Sequence, residues 1–157
     1  MHGRPLRLET AAAIAAVGVA FLVAALPAFQ ARAQDGEALI GSWYGELAVS
    51  ESKGGKPVNL RRWIRINRPD GTQTITFRFY FDDRLQWEQV WNGTWGYRNR
   101  VYWTECRSLS ANARSTPCSD RRAYDLVKID AKEMVYTNRA TGERFAVTRV
   151  PDDFQLP

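Results

Sequence analysis

The sequence predicts an all-β protein, a single antiparallel up-and-down β-barrel of eight to nine strands. Residues 74–81, "TITFRFYF", put Ile75, Phe77, Phe79 and Phe81 on one face and Thr74, Thr76, Arg78 and Tyr80 on the other. That is strict period two in β-branched and aromatic residues, the mark of a half-buried strand. No segment after residue 33 has helical periodicity, and strand-like runs recur with turn residues between them. A sheet of this kind with open edges would aggregate, so it is expected to close on itself.

Residues 1–33 are expected to be a cleaved export signal. Arg4 and Arg7 give a positive start, and residues 11–26 are apolar or small without interruption. Pro27 ends the run, and Ala31-Arg32-Ala33 supplies the small-x-small pattern that a signal peptidase cleaves. A retained anchor is the competing reading, but a spanning helix needs about 20 apolar residues and this run has 16. No cysteine follows it to carry a lipid. The remaining 124 residues, 34–157, suffice for one barrel domain with one core. The expected destination is the periplasm or the outside of a bacterial envelope, with no stable membrane span after cleavage.

Losing the signal removes three arginines and one glutamate, which leaves 19 basic and 16 acidic residues and lowers the net charge from +5 to +3. So mild an excess on an exported protein gives no reason to expect nucleic acid. The only histidine, His2, leaves with the signal. The mature chain therefore lacks an unperturbed neutral-pH titrator, a histidine metal ligand, and any serine–histidine or cysteine–histidine pair. Cys106 and Cys118 are the only cysteines and lie 12 apart. In an oxidising compartment they are expected to be bridged, which contributes about 3 kcal/mol in the chain-entropy model. Neither a phosphate-cradling glycine loop nor a calcium-type acidic spacing occurs, so no metal and no cofactor is expected. Carboxylates alone can catalyse, with Glu88, Glu105 or Asp82-Asp83 as candidates, but nothing in their spacing favours it. The chain is expected not to be an enzyme.

In chain order, the first strand opens at "GSWYG", residues 41–45, and a linker follows over residues 50–57. Over residues 60–67, Leu60, Ile64 and Ile66 share one face with Arg62, while Arg61, Trp63, Arg65 and Asn67 lie opposite. The apolar face is expected inward. Pro69-Asp70-Gly71 marks a tight turn into residues 74–81. Next, Leu85, Trp87, Gln89 and Trp91 share a face, as do Val101, Trp103 and Glu105. Asn92-Gly93 is either a hairpin turn or a bulge within one long bent strand. A second linker spans residues 107–120, and three short strands follow over residues 123–129, 133–138 and 143–150.

A meander barrel entered through Gly41, Trp43 and Tyr44 resembles the short bacterial lipocalin-like proteins of the calycin group. In that group the first strand begins with Gly-x-Trp, the tryptophan plugs the closed end, and an arginine near the last strand stacks across the indole. The resemblance implies that Arg149 plays this part, with Arg144 as the second choice, and that the linker after the first strand covers an open mouth. It also implies a non-catalytic barrel binding a small hydrophobic or amphipathic ligand. The alternative is a protein-binding module, such as a protease or lysozyme inhibitor-like barrel, acting through residues 34–40 or 107–120. Many lipocalins carry a helix after the barrel and a Thr-Asp-Tyr signature, and neither is expected here.

An eight-stranded barrel is just wide enough to be filled by side chains or to hold one small ligand. The inferred interior carries Phe77, Phe79, Trp87, Trp91, Trp103 and Tyr136, which either fill the core or form an aromatic cup. Arg62, Gln89 and Glu105 fall in the inward phase, where an ion must find a partner, reach the rim or meet a ligand. Arg61, Trp63 and Arg65, beside Arg78 and Tyr80, would then make a basic and aromatic patch outside, a composition found at protein interfaces.

Overall fold

The computed structural model describes residues 36–53 and 55–157. The signal expected over residues 1–33 lies outside them. Nine strands follow in sequence: β1 Gly41–Lys53, β2 Lys56–Asn67, β3 Thr72–Phe81, β4 Arg84–Arg98, β5 Val101–Ala111, β6 Arg114–Pro117, β7 Arg121–Ile129, β8 Glu133–Asn138 and β9 Arg144–Val150. β1 to β5 each pair antiparallel with the next strand, β7 pairs with β5 and β8, β8 pairs with β9, and β1 pairs with β9 from Ser42↔Val150 to Tyr44↔Thr148. Eight strands therefore close into a barrel. β5 is shared along its length: its first half pairs with β7 and its second half with β6, the ninth strand.

Both expected linkers are largely strand. β1 runs on to Lys53 and β2 starts at Lys56, so residues 50–57 are the end of a long hairpin. Residues 107–120 hold the end of β5 and all of β6, which turn at Asn112 and Ala113 with φ of 50° and 62°. Cys106 and Cys118 are disulfide-bonded and tie the base of this hairpin to the barrel.

The ambiguity at Asn92-Gly93 resolves as a bulge. β4 is continuous from Arg84 to Arg98, and its register against β5 slips between Asn92 and Gly93. The two strands approach so closely that a Cβ on Gly93 would lie 1.9 Å from the Glu105 carbonyl oxygen, so only glycine fits.

β2 faces the other way from expectation. Trp43 and Ile75 both pair with Arg65, Phe77 pairs with Trp63, and Phe79 pairs with Arg61. Directly paired residues share a face. Arg61, Trp63, Arg65 and Asn67 therefore point into the barrel, and Leu60, Arg62, Ile64 and Ile66 point out. The expected outer patch of Arg61, Trp63 and Arg65 does not exist. The cause is a cover on the outside. The C-terminal segment after β9 crosses the outer wall of β1–β3: Phe154 packs on Tyr44 at 5.4 Å, Arg78 donates to the Leu156 carbonyl, and Tyr80 donates to that of Pro157. Ile64, Tyr80 and Leu156 are buried beneath or within this cover.

Candidate functional site

One end of the barrel is sealed. Trp43 is fully buried and its Nε1 donates to the Leu39 carbonyl at 3.0 Å. The Arg149 guanidinium lies 4.2 Å from the Trp43 ring centroid, and its Nη1 and Nη2 donate to the carbonyls of Ile40 at 2.7 Å and Ala38 at 2.5 Å. Gly41, at φ 117°, is what permits this crossing, since a Cβ there would lie 2.5 Å from Arg149 Nη1. Arg144 takes no part and is exposed at the start of β9. Tyr44 points outward, where its hydroxyl donates to Glu46 at 2.7 Å. Burial and that carboxylate push its pKa up to about 12.

Above this floor lies a layer of buried polar groups. Asn67 donates to the Leu39 carbonyl at 2.9 Å, and Gln73 meets the Asn67 oxygen at 2.6 Å and the Tyr102 hydroxyl at 2.5 Å. Next comes Arg65, 4 % exposed. Its guanidinium sits over three phenol rings, 5.2 Å from the centroid of Tyr102, 5.8 Å from Tyr124 and 5.0 Å from Tyr136. Among the described residues no carboxylate lies within ion-pair distance of it, and its Nε and Nη1 have no hydrogen-bond partner. Burial works against the charge, but the surrounding phenols outweigh it, and the Arg65 pKa stands above the ordinary arginine value.

Arg65 borders a cavity of about 50 Å³ with the rings of Trp63, Phe77, Tyr124, Tyr136 and Phe145. Arg61, Arg122, Asn138 and Glu143 complete its wall. Arg61 and Glu143 approach to 3.7 Å. Arg122 stacks over Trp91 at 4.5 Å and pairs with Asp120 at 2.6 Å. Three guanidiniums thus face a single carboxylate in the cavity wall. Arg122, Asn138 and Glu143 also border a groove of about 530 Å³ across the rim, formed with Asp120–Ala123 and Arg139–Thr141. The inner cavity and the rim groove share these three residues.

Of the residues singled out from the sequence, Phe77 and Tyr136 line this cavity. Phe79, Trp87 and Gln89 have the inward phase but lie outside its wall, Trp87 opposite Phe79 and Gln89 opposite Phe77. Three expectations are corrected. Arg62 points outward, over Tyr80 at 5.1 Å and paired with Glu46 at 3.4 Å. Trp103 and Glu105 are also outside, because Tyr102 and Thr104 hold the inward phase of β5. Trp103 packs over Gly96 and beneath Arg121 at 5.0 Å, and Glu105 pairs with Arg107 at 3.2 Å. The carboxylates considered for catalysis are dispersed: Glu88 pairs with Arg78, and Asp82 and Asp83 form the β3–β4 turn.

Arg61, Trp63 and Arg65 were expected in an outer patch, and Arg122, Tyr124, Asn138, Glu143 and Phe145 were not singled out as site residues. A signal for β2 was present. Residues equidistant from a tight turn pair with one another, and Trp63 and Phe77 are both seven residues from Asp70. Since Phe77 is inward, Trp63 and its i±2 neighbours Arg61 and Arg65 must be inward too.

The described residues have a calycin-like architecture, a closed eight-stranded antiparallel barrel with an added hairpin strand and, among those residues, almost no helix. No protein-family model matches the chain, and no curated protein matches it in sequence.

Proposed function

We propose that this chain is a non-catalytic, exported binding barrel of the lipocalin-like kind, taking a small amphipathic ligand at the end opposite Trp43. The observation that carries this reading is the pairing of an aromatic-walled cavity inside the barrel with a wider groove at its rim. At about 50 Å³ the inner cavity is well below the roughly 300 Å³ of a pocket that encloses a whole drug-sized molecule. A lipid buried to its full length does not fit this lumen. A ligand that inserts one end among Trp63, Phe77 and Phe145 and rests its body in the rim groove does. The disulfide supports an oxidising compartment, hence the periplasm or the exterior.

Native mass spectrometry of protein purified from its own host tests the reading. The expected spectrum contains a bound mass that is lost on unfolding. Bare protein, together with no shift in melting temperature across a panel of small amphipaths, would remove the proposal.

A second reading, the protein-binding module, rests on β6. All four of its residues are exposed, and the disulfide anchors the hairpin that presents it. Shortening residues 110–115 to a tight turn should then abolish capture of a protein partner while leaving the barrel folded.

A further inference from the structure

We infer that the inserted end of the ligand is an oxyanion of the carboxylate class, held by Arg65. The inference rests on the binding-barrel reading above and goes beyond it in naming the chemistry of the ligand's head.

The physical reason is an imbalance inside the barrel. A buried ion is tolerated when it is paired and its hydrogen-bonding groups are satisfied. Arg149 meets that condition, since two main-chain carbonyls accept its protons and an indole lies beneath it. Arg65 does not. It is buried as deeply as the floor residues, it has no carboxylate partner among the described residues, and Nε and Nη1 donate to nothing. The groups packed around it are phenols on β5, β7 and β8, which supply ring faces but no negative charge. Arginine stays protonated at any pH at which the barrel is folded, so deprotonation offers no relief. An anion seated in the cavity that Arg65 borders supplies the missing counter-charge.

The cavity suits the size of such a group. A water molecule needs about 10–15 Å³ of this kind of volume, so about 50 Å³ admits a carboxylate and the first atoms attached to it. Arg61 and Arg122 also border the cavity but are paired with Glu143 and Asp120, so Arg65 is the guanidinium of its wall left without a carboxylate among the described residues.

The test uses benzoate and hexanoate against their neutral isosteres benzamide and hexanamide. Binding is followed by tryptophan fluorescence, since Trp63 lines the cavity, and by calorimetry. The carboxylates are expected to bind saturably and the amides about tenfold more weakly or worse, the loss that goes with a charge-assisted hydrogen bond. Arg65→Met should lose carboxylate binding by a similar factor with an unchanged far-ultraviolet circular dichroism spectrum. Arg65→Lys, which keeps the charge but not the planar donors, should fall between the two. Equal binding of acids and amides, or an Arg65→Met protein that binds benzoate like the wild type, overturns the carboxylate assignment and leaves the binding barrel standing. No binding of either acid also overturns it. The binding barrel falls with it only if native mass spectrometry shows no bound mass.

Discussion

Replacing Arg65 by methionine should make the ligand-free barrel more stable. The wild-type side chain leaves two buried nitrogens without acceptors, and an unsatisfied buried donor costs about 1–3 kcal/mol. Methionine has a similar reach and no polar N–H, so it removes both costs while keeping most of the packing against Tyr102, Tyr124 and Tyr136. What it gives up is the attraction of the guanidinium for those three rings, about 1–2 kcal/mol for a desolvated cation over aromatic faces. The balance is a gain of roughly 0–5 kcal/mol, about 2–3 kcal/mol at its centre, the direction seen when buried ionic groups give way to apolar ones of matching shape. In a domain of this size that raises the melting temperature by about 5–10 °C. Urea unfolding followed by tryptophan fluorescence, with the slope compared between the two proteins, measures it. A loss of about 1 kcal/mol or more at unchanged slope would refute the reasoning, because Arg65 would then be a satisfied structural group and not a vacant anion receptor.

Other consequences can be checked independently. Gly93→Ala places a methyl 1.9 Å from the Glu105 carbonyl oxygen, so β4 and β5 must separate at the bulge, at a cost of about 2–4 kcal/mol by chemical denaturation. Substituting both Cys106 and Cys118 by serine should cost about 3 kcal/mol and raise hydrogen exchange in β6 before the rest of the barrel, because the bridge ties that hairpin down. Arg149→Ala removes two hydrogen bonds and the stack on Trp43 and should cost about 2–4 kcal/mol, with a red-shifted tryptophan emission as water reaches the floor. Burial, partly offset by Arg65, pushes the Tyr136 pKa up to about 12. The fold thus prefers the neutral phenol, whereas an unfolded tyrosine ionises near pH ~10. This contribution is complete below pH ~10 and is lost as the pH climbs towards about 12. Alkaline unfolding monitored by tyrosinate absorbance should therefore begin above pH ~10 and coincide with loss of the native circular dichroism.

Much of the architecture was legible because it depends on local chemistry. The alternation over residues 74–81 requires a strand and Pro69-Asp70-Gly71 requires a turn, whereas the part of Gly41, Trp43 and Arg149 at the sealed end came from the lipocalin resemblance and not from local chemistry. Period two fixes which residues share a face but not which face is inside. For β2 the aliphatic side is the outer one, because a segment about 90 residues later in the chain covers Ile64, and nothing within residues 60–67 announces that. For β5, large aromatic residues occupy both faces, Tyr102 within and Trp103 outside. There the choice follows from which neighbours each ring meets, Tyr124 and Tyr136 for Tyr102 and Gly96 and Arg121 for Trp103. The candidate site was missed for the same reason. A guanidinium in the centre of a barrel contradicts the preference of charge for water, and only the turn-centred register predicts it.

Arg149 and Arg65 divide the labour along the barrel axis. The first is saturated by main-chain carbonyls, so altering it endangers folding, while the second owes the scaffold little. Rim residues such as Asn138 and Glu143 are therefore free to vary, and selectivity for different guests could be reprogrammed at that end without disturbing the seal at the other.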